Sequence, residues 1–303
     1  MATPTSNSHL THLIIVCCHA VYLGGPTHGT AEDEWLLAPF QTGETPTLTA
    51  HIKTGLSLLT SSPSSLLIFS GSKTRPETVL SEARSYWNLC LDNHFWVSQG
   101  IGEKAGMRER IGLEEQALDS FGNFMFSIVM FWRVTGRWPE RITVVSHEFK
   151  RRRFLDLHVR AGRWPMERVE FLGIDPVYMI RSSTKWDERR AEEVCRGERE
   201  RGYGAWREDL WGRGRELRGK RMRRNFGGVP QVLFEDHKER VRSRVKTSVV
   251  SWKDGIEEEV LRDEMQPWEV ARSLSFEQDR ESFSQEIPRN IFQRHLELRI
   301  QKP

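Results

Sequence analysis

Residues 13–18 read L-I-I-V-C-C, and how this stretch is read decides the fold. Six consecutive apolar residues, β-branched at 14–16 and bounded by polar ones, mark a strand buried on both faces rather than one exposed on alternate residues. Working outward, a polar loop (24–34, G-G-P-T-H-G-T-A-E-D-E) leads to a stretch in which Leu48, Ile52, Leu56 and Leu59 recur at helical spacing. There Thr45 before Pro46 has the form of a cap followed by proline at the first helical position. S-L-L-I-F-S-G (65–71) repeats the buried-strand pattern, and a helix is expected over about Glu77 to Leu91. R-I-G-L-E (110–114) reads as a short strand. The apolar run that follows it is a long buried helix, ended by Gly136 and Pro139. I-T-V-V-S (142–146) and R-V-E-F-L-G-I-D-P (168–176) are two more strands, with a helix between them. Strands alternating with helices at this spacing predict an α/β protein with a mainly parallel sheet and helices on both faces.

After Pro176 the composition changes. Residues 186–225 are dominated by Arg, Glu and Gly, and 230–303 are charged with scattered apolar positions. The expected division is an α/β domain over 10–180, a helical appendage over 181–226, and a loosely folded or disordered tail over 227–303.

The formal charge of the 303 residues is only +3, so any basicity that matters is local. Four cysteines (17, 18, 90 and 195) without C-x-x-C spacing argue against a disulfide framework or a zinc site and fit a reducing compartment. The apolar runs 13–23 and 121–134 are shorter than the roughly 20 residues of a membrane span. The start M-A-T-P-T-S-N-S-H has no cationic region ahead of an apolar one. A cytoplasmic location is the expectation.

In a parallel sheet of this kind, ligands sit outside the carboxyl ends of the strands. The strand ends supply Cys18-His19, Ser70-Gly71-Ser72-Lys73, Glu114 with Asp119-Ser120, and Ser146-His147 with Lys150 and Arg151. Their convergence is the strongest functional signal in the chain, although polar residues follow strands in any α/β protein. S-G-S-K-T lacks the spacing of a phosphate-binding P-loop, and no G-x-G-x-x-G follows the first strand, which argues against a Walker-type site and a dinucleotide dehydrogenase. Cys18 and His19 point to opposite faces if the strand continues through them, so they do not form a thiol–imidazole pair.

On a helix from Glu148, Phe154, Leu157 and Ala161 form the buried stripe, while Arg152, Asp156 and Arg160 form a charge ladder on the wet face. Lys150 and Arg151 lie in the first turn, where the helix dipole disfavours cations. A bound anion would compensate them, and so would Glu82, Glu114 or Asp119. The segment 213–224 carries seven cations against Glu216 alone. It has no interleaved aromatics, and Glu188, Glu192, Glu193, Glu198 and Glu200 precede it, so nucleic-acid binding is not expected.

Together these pieces resemble the ElyC/SanA/YdcF family, especially its fungal members. The resemblance rests on L-I-I-V-C-C-H-A-V-Y-L-G-G, L-L-I-F-S-G-S, S-E-A-R-S-Y, L-E-E-Q-A-L-D-S-F-G-N and I-T-V-V-S-H-E-F-K-R-R-R-F, covering roughly residues 10–176. It implies a Rossmann-like three-layer α/β/α fold with a polar pocket at the strand ends, and no established reaction. Carried over by position, it implicates Ser70, Gly71, Ser81, Glu82, Glu114, Asp119, Ser120 and Asn123. The family histidine falls on Lys150 or Phe149 and its arginine on Arg153 or Arg152. Ser72, Ala117, Asp119 and Gly122 depart from the family pattern, and loss of the histidine argues against a shared acid/base mechanism.

The resulting expectation is a protein that binds a small anionic ligand, phosphorylated or adenosyl-containing, with a nucleotide or adenosyl compound as the cofactor class and hydrolase or transferase chemistry. Glu114 and Asp119 are the candidate catalytic carboxylates. His19, Ser70, Gly71, Glu82, Ser120 and Asn123 are candidate ligand contacts, and Lys150 with Arg151 or Arg153 supplies charge. The alternative is a non-catalytic scaffold that contacts a protein partner through residues 186–225.

Overall fold

The computed structural model describes residues 7–101, 106–252 and 257–269. Five strands form one parallel sheet: β1 (His12–Cys17), β2 (Ser65–Ser70), β3 (Ile111–Glu114), β4 (Arg141–Ser146) and β5 (Val169–Gly173). Their spatial order is β3-β2-β1-β4-β5, so β1 is central and the chain reverses direction of winding between β1 and β4. That is a doubly wound order with its switch point beside β1. Register keeps the strand ends level, with Cys17 opposite Ser70, Ser70 opposite Glu114, and Ser146 opposite Gly173.

The apolar run of β1 does what its composition predicts. Leu13, Ile15 and Cys17 enter one core with Phe124, Ile128 and Phe154, while Ile14, Val16 and Cys18 enter another with Leu48, Ile52 and Tyr86. A strand apolar on both faces requires a layer on each side. Helices α1 (Thr45–Ser61) and α2 (Glu82–Asp92) cover the second face. Helix α3 (Ser120–Thr135) and α4 (residues 148–161) cover the first. The approach of α1 is close: a Cβ at Gly55 would lie 2.5 Å from Val16 Cγ2, so only glycine fits there.

Helix termini follow local chemistry. Ser81 caps α2 by accepting from the Arg84 amide, and Asp119 caps α3 by accepting from the Gly122 amide. Gly136 ends α3 in the left-handed region at φ 74°. At α1 the expected cap is replaced. Thr45 is the first helical residue, and the cap position belongs to Glu44, whose side chain turns inward to accept from the Tyr178 hydroxyl at 2.6 Å. Helix α2 also starts later than expected, at Glu82 rather than near Glu77.

The charged appendage is helical. It consists of α5 (residues 188–208) and α6 (Arg215–Arg224). The expectation of a loose tail from Gly227 is corrected for its described part. Helix α7 (His237–Ser243) and an antiparallel hairpin of β6 (Thr247–Ser251) and β7 (Glu257–Leu261) follow α6. Leu233, Phe234, Val245, Leu261 and Trp268 join the core on the α3 side. Trp268 stacks on Trp164 with centroids 4.9 Å apart and donates to the Gly162 carbonyl at 3.0 Å. These anchors are spaced without period, so they carried no sequence signal. They are buried because α3 and the turn after α4 present Trp132, Trp138 and Trp164 to them. Residues 270–303 of the expected tail lie outside the described residues.

Candidate functional site

At the carboxyl ends of β1, β2 and β4 a cleft of about 1040 Å³ opens, walled by α4, α5 and α6. Among the described residues, nine lysines and arginines and five acidic residues line it. Helix α4 contributes Lys150 and Arg153, and three cations come from each of α5 and α6. The charged appendage is therefore a wall of the cleft and not a separate module. Its cations are not neutralised by the upstream glutamates alone. Arg221 is held by Asp119 and Glu258 at 3.1 Å each, Lys220 by Glu216, and Arg224 by the Leu118 carbonyl.

Two helices depart from regular geometry here. Residues Arg153–Val159 of α4 and Glu198–Gly204 of α5 wind in wide π-type turns. The two segments face each other, and Arg153 reaches Glu198 at 3.1 Å across the cleft wall. Wide turns of this kind displace a side chain from its regular position and are enriched at functional sites.

The expected site residues divide into three groups. His19, Glu82, Asp119, Ser120, Asn123, Lys150 and Arg153 line the cleft. Ser70, Gly71 and Glu114 lie beneath its floor, fully or nearly buried. Glu114 accepts from the amides of Gln116 and Ala117 and lies 2.5 Å from the Ser70 hydroxyl, which also faces Asn123 Oδ1 at 3.1 Å. Burial pushes this carboxyl up to about 7. A Cβ at Gly71 would meet Glu82 Oε2 at 2.8 Å and Cys18 Cβ at 3.0 Å, so glycine here permits close packing under the cleft rather than an anion-binding turn. Arg151 does not line the cleft. It pairs with Glu148 and donates to the Phe171 carbonyl at 3.0 Å, on the β5 side of α4. Its neighbour Lys150 points the other way because successive helical residues are about 100° apart.

The lining carboxylates are environment-tuned. Burial raises Glu82, which receives a 2.5 Å hydrogen bond from Thr74. Burial also raises Glu198 against the opposing pull of Arg153. Burial, with Arg153 adding to it, lowers Lys150 to about 8. Asp119 serves twice, as the α3 cap and as partner of Arg221. Ser120 bonds His158 Nε2 at 2.7 Å.

Sequence reading missed a group at the cleft floor, where His19 and His147 line the cleft and His51 lies behind them. His19 at the end of β1, His51 in α1 and His147 at the end of β4 bring ligand-type atoms within 4.8 Å of one another. His19 and His147 have ring centroids 4.6 Å apart, and His51 and His147 are 4.9 Å apart. His51 Nε2 lies 2.9 Å from the Ile174 carbonyl, which can only accept, so Nε2 carries the proton and Nδ1 has the lone pair. His19 contacts the Ser146 hydroxyl through Nε2 and Lys150 Nζ, at 3.4 Å, through Nδ1. Neither ring nitrogen of His147 has a hydrogen bond; Glu44 Oε2 is 3.5 Å from its Nε2, an ion-pair distance without hydrogen-bond geometry. Burial lowers all three imidazoles well below the usual histidine range, and Lys150 adds to it. The sequence traces of this cluster were His19 and His147 at two strand ends, read separately and not as one group. His51 sits mid-helix 32 positions from His19, with no spacing motif to mark it.

The fold and the cleft together define a doubly wound α/β protein with a polar site at its switch point. This chain is 31% identical over an alignment of 204 residues to the uncharacterized protein YOR238W of Saccharomyces cerevisiae (strain ATCC 204508 / S288c), covering 54% of this chain and 67% of that protein, and it belongs to one family with it. No family model matches the chain, and no solved structure gives a significant match. Among the described residues, no helix is long and apolar enough to cross a membrane.

Proposed function

We propose that the protein binds a small phosphorylated or adenosyl-containing molecule in the cleft at the strand ends and acts on it as a hydrolase or transferase. The observation that carries this reading is Lys150: a half-buried lysine at the cleft floor, with no carboxylate in ion-pair contact among the described residues, beside Arg153 and further cations of α5 and α6. Removing a cation from water without a counter-charge is costly, and an anion in the cleft offsets that cost. The likeness of the strand-end motifs to the ElyC/SanA/YdcF family supports the same reading.

Within it, Asp119, Glu82 and Ser120 face the ligand. Asn123 meets the ligand from the cleft wall and is oriented from below through Ser70 and Glu114. Glu114 is then a positioning residue rather than the reacting carboxylate. Because residues 188–224 wall the cleft, the ligand reading is favoured over a scaffold that presents this segment to a protein partner. A cytoplasmic location and indifference to nucleic acid belong to the same proposal.

The test is a thermal-shift screen of nucleotides, sugar phosphates and adenosyl compounds. At least one stabilises the protein, and Lys150→Ala abolishes the shift while the fold persists. A folded protein indifferent to every compound would sink the reading.

A further inference from the structure

We propose that His19, His51 and His147 form a binding site for a divalent transition metal, of the zinc type, on the cleft floor. The inference shares the cleft with the anion reading but does not depend on it, since the metal is tested alone.

Three imidazoles from separate elements converge within 4.8 Å. Nitrogens bonded to one tetrahedral zinc at 2.0–2.1 Å lie roughly 3.4 Å apart, so the rings close by about an ångström on binding. Imidazole nitrogens suit zinc, copper, nickel and iron and do not suit magnesium or calcium. A histidine trio with one side open to a cleft is the donor set of catalytic zinc, whose fourth position takes water or substrate.

Two further observations point to a ligand rather than to ordinary packing. His147 is 2% exposed and neither of its ring nitrogens is bonded. His51 Nδ1 is also buried and unbonded. Orphaned buried polar atoms are costly, and bare nitrogens meeting at one point are costlier still. The outer contacts are also of the kind that orient metal ligands. His51 turns its Nε2–H to the Ile174 carbonyl, which fixes its tautomer with the lone pair on Nδ1. His147 turns Nε2 toward Glu44, itself fixed by the Tyr178 hydroxyl. This accounts for the missing cap of α1: Glu44 is used at the site instead.

Lys150 makes the proposal sharp. Its Nζ lies 3.4 Å from His19 Nδ1 and so both repels a cation and occupies a donor nitrogen. A metal displaces this contact. Removing the lysine therefore tightens metal binding, although it abolishes anion binding.

The experiment titrates the full chain, stripped with a chelator, with Co²⁺ alone and then displaces it with Zn²⁺. One equivalent is expected to bind with the strong visible bands of a four-coordinate, nitrogen-rich site and to raise the melting temperature. His147→Ala, and His147→Phe as the variant that keeps the stack on Phe149, lose these bands with an affinity at least about 100-fold weaker. Lys150→Met binds several-fold more tightly. Absence of binding, binding unchanged in both His147 variants, or weaker binding in Lys150→Met would overturn the proposal. Stabilisation of the chelator-treated protein by inorganic phosphate, with no uptake of Co²⁺, would leave the anion reading standing and remove this one.

Discussion

Two cations, the buried Arg221 and the half-buried Lys150, make opposite uses of the same chemistry. Arg221 of α6 is clamped between Asp119 and Glu258, with its guanidinium fully engaged at 3.1 Å on each side. Lys150 of α4 has an imidazole and an aromatic ring for neighbours and no carboxylate among the described residues. The first arrangement ties α6, the α3 cap and β7 into one body. The second leaves a cation that Glu198 and Glu44 offset only from a distance, where the cleft is open. A buried charge with its partners in place is architecture; a half-buried one in a cleft without a contacting partner marks where something else is expected to bind.

The largest effect that tests this contrast is Arg221→Ala. It takes the clamp from the half-buried Asp119, which keeps the Gly122 amide, and from the buried Glu258, which keeps Arg218 at 3.4 Å, and is expected to destabilise the protein by about 3–4 kcal/mol in urea unfolding. A loss under 1 kcal/mol would mean the clamp is not structural. Next is the pH dependence that Glu114 confers. Its carboxyl is raised from 4.5 to about 7 in the folded protein. Between those values the folded state keeps a proton the unfolded state has released, so stability falls as pH rises from about 4.5 to 7. The expected fall is about 3 kcal/mol over that window. Glu114→Gln, which retains an acceptor for the amides of 116 and 117, flattens the curve; an unchanged curve refutes the assignment.

Lys150→Met is smaller in stability and decisive for binding. Unfolding free energy does not fall, because the lysine has no ion pair to lose and the variant relieves the cost of holding its charge partly out of water. Its stabilisation by phosphorylated compounds disappears in the same variant. Smallest is Arg151→Ala, one residue away. Its pair with Glu148 is exposed, so a change under about 1 kcal/mol and an intact ligand response are expected. Should Arg151→Ala abolish the ligand shift, adjacency rather than placement in the cleft would be what matters.

Much of the cleft was legible in advance because it is built on strand ends. The strand ends place His19, Asp119, Ser120 and Lys150, whereas Glu82, Asn123 and Arg153 were implicated through the likeness of the motifs to a known family. The misplacement of Arg151 came from treating both cations of the first turn as facing the strand ends, whereas successive residues there diverge and Arg151 turns to Glu148 and the Phe171 carbonyl.

The sequence by itself determined the order of strands and helices, the two-sided burial of β1 and the parallel sheet, because these depend on local apolar runs and on connection length. Tertiary structure alone decided that α5 and α6 wall the cleft, that Trp268 and Phe234 complete the core, and that His51 meets His19 and His147. Each of those rests on contacts between residues distant along the chain: Trp268 on Gly162, Glu44 on Tyr178, Arg221 on Asp119. Such contacts have no period, and only the folded packing that brings the segments together selects which of many charged or aromatic residues will meet.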